Sequence, residues 1–181
     1  SKISDNKFPK KMVLGFNHQE TLRYGENPHQ SASIYSSSMD LNLIKLSGKQ
    51  LSYNNYIDIF SALEISKTFP KNRGTVIVKH GNPCGVSIHK KNTEGFILAY
   101  KSDPISAFGG IVSCNFNISK EIAIELNKLF FEVIIGNGFN KDALKILKKK
   151  KNVRLIDSKN YNISNKNSLI SNMNFALTQH P

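Results

Sequence analysis

Tryptophan is absent from this 181-residue chain, arginine occurs only as Arg23, Arg73 and Arg154, and the only cysteines are Cys84 and Cys114. Each shortage excludes something. Two cysteines this far apart form neither a C-x-x-C pair nor a disulfide framework, so structural zinc and disulfide scaffolds are not expected. Long apolar runs are missing too. Nothing approaches the roughly 18 residues needed to span a bilayer, and the lysine-rich start (Lys2, Lys7, Lys10, Lys11) lacks the apolar segment of a signal peptide. A cytoplasmic protein with no membrane partner is expected. Acidic residues are also few, 13 against 25 basic ones, which leaves a net charge of +12 and favours an anionic ligand. Because the excess is lysine, whereas bidentate reading of phosphates and bases favours arginine, a nucleic-acid partner is not expected.

Apolar residues make up 39% of the chain, enough for one continuous core at this length. From about residue 31 to 157, short β-branched runs alternate with amphipathic stretches, the pattern of an α/β layered sheet with helices on both faces. Strands are predicted at Ser33–Tyr35, Thr75–Lys79, Gly110–Cys114, Glu132–Ile135 and Val153–Ile156, each bounded by Gly, Asn or Pro and apolar enough to be buried. Helical spacing covers Ile57–Phe69 and Thr93–Lys101. A helix follows Ser119, with Glu121 in its first turn, and another runs from Asn140 to the Lys148–Lys151 run, where cations suit the negative end of a helix dipole. Residues 1–20 and 158–181 read as an irregular leader and an irregular tail, and Pro181 follows no closing element.

Three polar segments punctuated by Gly or Pro stand out: Arg23 to Gln30, Lys79 to Gly85, and Asp103 to Gly110. All three fall at expected strand ends or loops, where the ligands of open α/β sheets bind. In the second, the run Thr75–Val78 ends in Lys79 followed directly by His80. A cation beside an imidazole favours its neutral form, which can accept a proton as a general base. Adjacent strand residues face opposite ways, so both side chains share a pocket only if the strand ends there. Asn82-Pro83 and Gly85 read as turn residues. The competing interpretation is a hydrogen-bonded strand-end histidine beside a solvated lysine. Arg23 could hold a phosphate or carboxylate, Tyr24 offers a ring or hydroxyl, and Phe108 before two glycines could pack on a flat ring. G-x-G-x-x-G, P-loop and H-E-x-x-H patterns are absent. Pro83-Cys84 matches half of the P-C-x-x-C element of zinc deaminases, but position 87 is Ser and His80 has no Glu two residues on, so no metal is expected.

Five blocks occur in order: L-R-Y-G-E-N-P-H-Q from Leu22, G-K-Q-L-S-Y-N-N from Gly48, V-K-H-G-N-P-C-G from Val78, S-A-F-G-G from Ser106, and F-E-V-I-I from Phe131 followed by A-L-K-I-L-K-K-K-K-N from Ala143. Together they resemble the transformylase part of the AICAR transformylase/IMP cyclohydrolase family. The resemblance implies transfer of a formyl group from 10-formyltetrahydrofolate, as cosubstrate, to the 5-amino group of AICAR in purine biosynthesis. It implies a cytidine-deaminase-like fold without zinc, with residues 21–157 as the first half of the transformylase domain. The cyclohydrolase domain and the second transformylase half lie outside the matched blocks. It further implies Lys79 and His80 as the catalytic pair, Arg23 and Tyr24 as nucleotide contacts, Asn55, Gly109 and Glu132 near the base and ribose, and a homodimer with shared active sites. A nucleotide-binding module without turnover is the alternative, since half of the active site would be missing. Two departures from the family pattern are Tyr56-Ile57, for a commoner Ile-Asn, and Gly136-Asn137, for a usual Ala-Pro.

Overall fold

The computed structural model describes residues 8, 10–163, 168–171 and 175–179. Its centre is a mixed six-stranded sheet of order β3-β8-β7-β6-β4-β5. The strands are β3 (Ile44–Ser47), β4 (Gly74–Lys79), β5 (Asn82–Ile88), β6 (Ile111–Cys114), β7 (Val133–Gly136) and β8 (Arg154–Asp157). β6, β7 and β8 run parallel, whereas β4 is antiparallel to β5 and β6, and β3 is antiparallel to β8.

Alternation along the strands explains why both faces are covered. Ile77, Val112, Cys114, Ile134 and Leu155 pack on one side with α2 (Asn92–Ser102), α3 (Pro104–Ala107), α4 (Lys120–Asn127) and α5 (Lys141–Leu147). Val76, Val78, Ile111, Val133, Ile135 and Ile156 pack on the other against Tyr56, Ile59, Ala62 and Leu63 of α1 (Tyr53–Ser66). Strands buried on both faces read as unbroken apolar runs, which is why β4, β6, β7 and β8 are visible in the sequence. Each large side chain buried this fully contributes about 1.5–3 kcal/mol. The expected layered α/β sheet with helices on both faces is thus present.

Several local expectations are corrected. Ser33–Tyr35 is a strand, β2 (Ser33–Ser36), but it pairs with β1 (Asn17–Thr21) in a separate two-stranded ribbon and is only partly buried. β1 lies largely within the stretch read as an irregular leader; its polar sequence, Asn-His-Gln-Glu-Thr, hides the strand because neither of its faces is buried. The tail contains β9 (Ser168–Ser171) and β10 (Ala176–Gln179), paired antiparallel. The remainder of both terminal stretches, residues 1–7, 9, 164–167, 172–174 and 180–181, lies outside the described residues. Asn82-Pro83 and Gly85 belong to strand β5 rather than to a turn. Proline is tolerated there because β5 is an edge strand, and Cys84 falls at a bulge in its register with β4. Helix α1 begins four residues earlier than its apolar spacing suggests, because a capping box starts it: Ser52 Oγ accepts from the Asn55 amide while Asn55 Oδ1 accepts from the Ser52 amide.

Candidate active site

Strand register brings the candidate residues to one end of the sheet. Val78 pairs with Ile111, Ile111 with Val133, and Val133 with Arg154. The residues just outside those pairs, Lys79, Gly110 and Glu132, therefore line up across neighbouring strands, at the amino ends of the three parallel strands. Ligands of open parallel sheets usually collect at the carboxyl ends. The inversion follows from β4, which runs against β6 and so delivers its last residue to the start of its neighbour.

His80 and Gly81 are the central residues of the two-residue turn joining β4 to β5, with Lys79 paired to Asn82 across it. Both central φ angles are positive, 53° and 74°, which makes a type I′ hairpin turn. Gly81 adopts that conformation freely, whereas His80 is one of three described non-glycine residues held in it. The strand does end at Lys79, as a shared pocket requires. Lys79 Nζ donates to the Phe108 carbonyl at 2.7 Å, tying the second polar segment to the third. The Gly81 amide donates to Asp58 Oδ1 at 2.6 Å, which fixes the turn against α1. The His80 ring is exposed and lines a cleft of about 230 Å³ together with Glu26, Asn54, Ile57 and Asp58.

The first segment reaches the same cleft from above α1. The Tyr53 amide donates to the Tyr24 carbonyl at 3.3 Å, and Asn54 Nδ2 donates to the Glu26 carbonyl at 3.3 Å. Its loop is closed by the Gly25 amide donating to the Gln30 carbonyl and the Asn27 amide donating to Gln30 Oε1, both at 2.7 Å. Arg23 is exposed, with its guanidinium carbon 5.4 Å from the centre of the Tyr24 ring, a cation–π distance. In the third segment Asp103 caps α3, accepting from the Ser106 amide at 2.9 Å. The Ser106 hydroxyl and amide hold the Asp103 carboxyl below its usual range.

Asn55 and Glu132 meet directly, Asn55 Nδ2 donating to Glu132 Oε2 at 3.0 Å. With its Oδ1 committed to the cap, Asn55 is a buried positioning group, while the Glu132 side chain keeps 44% of its exposure. Arg154 Nη1 lies 3.7 Å from Glu132 Oε2, and the Arg154 side chain is only 11% exposed. The Gly109 amide donates to the Phe130 carbonyl at 2.9 Å, beside the exposed ring of Phe108, which sits 5.4 Å from that of Phe130. Asp58 and Arg154 escaped the sequence reading, since a lone acid on a helix and a lone arginine opening a strand carry no local signal. Tyr56, one of the departures, donates its hydroxyl to Glu20 at 3.3 Å, and burial together with that carboxylate pushes its phenol up. Among the described residues no group of three or more His, Cys, Asp or Glu side chains could hold a metal ion, and no helix is long and apolar enough to cross a membrane.

Fold and site define a mixed-sheet α/β protein with a polar cleft lined by His80, Asp58, Asn54 and Glu26 at the amino ends of the parallel strands, Lys79 preceding His80 but not lining the cleft. The chain belongs to the AICARFT/IMPCHase bienzyme family, whose model matches residues 1–181. Bifunctional purine biosynthesis protein PurH of Leptospira biflexa is 45% identical over 151 residues, covering 83% of this chain and 29% of that protein. Its counterpart in Persephonella marina is 43% identical over 164 residues, covering 87% and 32%, and that of Aquifex aeolicus 42% identical over 153 residues, covering 82% and 30%. The chain thus spans about three tenths of the length of the curated relatives it matches.

Proposed function

We propose that this chain supplies the first half of an AICAR transformylase, residues 21–157 forming that half-domain, with Lys79 and His80 as its catalytic pair. The observation that carries the proposal is the His80 turn: an exposed imidazole held in a left-handed conformation, with the adjoining Lys79 tied to the Phe108–Gly109 loop. Strained non-glycine residues persist where the surroundings over-determine them, and they concentrate at active sites.

The 5-amino group of AICAR must lose a proton as its nitrogen bonds to the formyl carbon. His80 is placed to accept it, and Lys79 to bear on the imidazole and on the nucleotide. Help of this kind is worth about 10²–10⁴ in rate. Arg23 and Tyr24 receive the nucleotide, Arg23 at its phosphate. Glu132, oriented by Asn55 and Arg154, and the backbone at Gly109 approach the base and ribose. 10-Formyltetrahydrofolate supplies the formyl carbon as cosubstrate. The exposed face of Phe108, 63% accessible beside Phe130, fits a flat ring of that kind. The net charge of +12 suits two anionic substrates. A cytidine-deaminase-like fold, a cytoplasmic setting without nucleic-acid or membrane partners, no metal, and a homodimer whose subunits complete each other's sites belong to the same proposal.

The test joins this chain to the remainder of a relative's transformylase region and measures formyl transfer to AICAR. Activity that falls at least 100-fold in His80→Ala is expected. Full activity in that variant would overturn the assignment. A second reading is a nucleotide-binding module without turnover. It predicts that AICAR, and not AMP, shifts the His80 imidazole resonance of the isolated chain while no formyl transfer occurs.

A further inference from the structure

Helix α1 presents three side chains to three separate parts of the candidate site. Asn54 Nδ2 donates to the Glu26 carbonyl at 3.3 Å, and Asn55 Nδ2 to Glu132 Oε2 at 3.0 Å. The third is Asp58, three residues beyond Asn55 and so on the same helix face. Helix formation gives no reason for an acid there. Aspartate ranks low among residues of a helix interior, and Asp58 lies beyond the first turn, where a carboxylate would suit the dipole; that turn holds no acidic residue. Nor does it neutralise a cation, since among the described residues Asp58 enters no ion pair.

What Asp58 holds is a peptide plane. His80 and Gly81 occupy the two left-handed positions of the turn, and the peptide that joins them is bound on both sides. Its amide, from Gly81, donates to Asp58 Oδ1 at 2.6 Å, and its carbonyl, from His80, accepts from Asn82 Nδ2 at 2.9 Å. The first of these is the short, charge-assisted kind. Two-residue turns of this type favour Asn or Asp before the glycine, and here a histidine takes that place. With φ at 53° rather than about −60°, the Cα–Cβ bond leaves the backbone in a different direction, so the backbone at residue 80 decides where the imidazole goes. Ile57 backs the turn as well, its Cγ2 lying 3.8 Å from where a Cβ on Gly81 would stand. Helix and turn then share one cleft, lined by Ile57, Asp58 and His80 among others.

We propose that Asp58 is a positioning residue for His80: by accepting the Gly81 amide it keeps residue 80 left-handed and holds the imidazole in the cleft where the amine proton is received. The proton transfer rests on the formyltransferase reading above; the clamp itself rests on the turn. Asp58 acts as a hydrogen-bond acceptor, so asparagine, whose Oδ1 accepts the same amide, can replace it and alanine cannot. Proton transfer needs donor and acceptor within about 3 Å. A displaced imidazole forfeits that distance while the nucleotide contacts of Arg23, Tyr24 and Glu132 stay in place, so the signature is a fall in kcat without a rise in KM.

Asp58→Ala and Asp58→Asn lose the same charge, so a difference between them reports the hydrogen bond alone. In the isolated chain, a strong nuclear Overhauser contact between the amide and α protons of His80 marks its positive φ. That contact is expected in wild type and Asp58→Asn and is lost in Asp58→Ala, with thermal melts confirming that each variant is folded. Should Asp58→Ala not fold, Asp58→Glu, which carries the acceptor one methylene further out, takes its place with the same loss expected. Persistence of the contact in that variant overturns the clamp. In the completed enzyme, Asp58→Ala should lower kcat for formyl transfer by about tenfold or more while the KM for AICAR changes less than about twofold, and Asp58→Asn should keep at least about a third of wild-type kcat. In a His80→Ala background, Asp58→Ala should cost less than about twofold further, because it acts through the imidazole. Equal losses in the two backgrounds, or an Asp58→Asn as impaired as Asp58→Ala, overturn the positioning role. Failure of formyl transfer altogether, with the contact still lost in Asp58→Ala, removes the reaction and leaves the clamp standing, so the two failures are distinguishable.

Discussion

The two ends of the central sheet differ in how their polar groups are used. At the carboxyl ends of β6, β7 and β8, Asn115 is 8% exposed and fully engaged: its Oδ1 accepts from the Arg73 and Gly74 amides, and its Nδ2 donates to the carbonyls of Ser66, Phe69 and Pro70. Lys67 reaches the same end and donates to Asn137 Oδ1 and the Ser158 carbonyl, its ammonium pushed down by burial. At the amino ends, by contrast, Lys79, His80, Glu132 and Arg23 are wholly or partly exposed, with few partners. The teaching is general. Polar groups satisfied by their own backbone hold a fold together, whereas groups held in place with valence to spare are available to a ligand. At the carboxyl end, where ligands of parallel sheets usually bind, Asn115, Lys67 and Asn137 line a cleft of about 710 Å³ with their polar groups engaged by the protein itself.

Substitutions at the two ends should separate accordingly. The largest effect is expected for His80→Gly in the completed enzyme, which loses the proposed proton acceptor and, on that proposal, about 10²–10⁴ in formyl transfer. The same change relieves a left-handed residue, so the chain should unfold at higher urea, by up to about 1 kcal/mol. A destabilised His80→Gly would break the contrast. Next comes Asn115→Ala, which removes the acceptor of two amides and the donor to three carbonyls, of which the Ser66 carbonyl keeps the Phe69 amide, and should cost about 3 kcal/mol in chemical denaturation. A loss below 1 kcal/mol would show the carboxyl end to be less committed than its hydrogen bonds indicate. Asn55→Ala bridges the two behaviours. Loss of half the capping box should cost about 1 kcal/mol, and release of Glu132 should raise the KM for AICAR more than it lowers kcat.

A smaller effect follows from Lys67. Its folded-state pKa lies below the ordinary 10.5, so between the two values the unfolded chain binds more protons and stability rises with pH. Lys67→Met should abolish that rise in urea midpoints measured from pH 7 to pH 10, leaving a flatter profile than wild type. The smallest is a labelling difference. Burial pushes the Cys114 thiol up to about 12, and Cys84, at the β5 edge, is less buried and less raised. Iodoacetamide should modify Cys84 first, with Cys114 protected until unfolding.

Legibility in the sequence tracked burial. Strands β4, β6, β7 and β8 and helices α2, α4 and α5 were readable because their apolar patterns are dictated by covered faces. β1, β3 and β5 were missed for the opposite reason: they are ribbon or edge strands, rich in polar, Gly and Pro residues, whose hydrogen bonds depend on partners distant in sequence. The candidate site was readable as three separate segments and a family resemblance. Its assembly was not, since Asn55 and Glu132 are 77 residues apart and their bond depends on where α1 crosses the sheet.

Composition, charge and motif order by themselves determined an α/β chain, the Lys79-His80 pair at a strand end and the family resemblance, and raised the expectation of an anionic ligand, because these depend on residue type and short spacing. The tertiary structure decided which end of the sheet carries the Lys79-His80 turn, that Asn55 serves the fold as well as Glu132, and that Gly48-Lys49 meets the Lys148–Lys151 run. Those facts follow from the antiparallel insertion of β4 and β3 into a parallel core, and strand direction within a sheet is set by long-range pairing that no local stretch of sequence encodes.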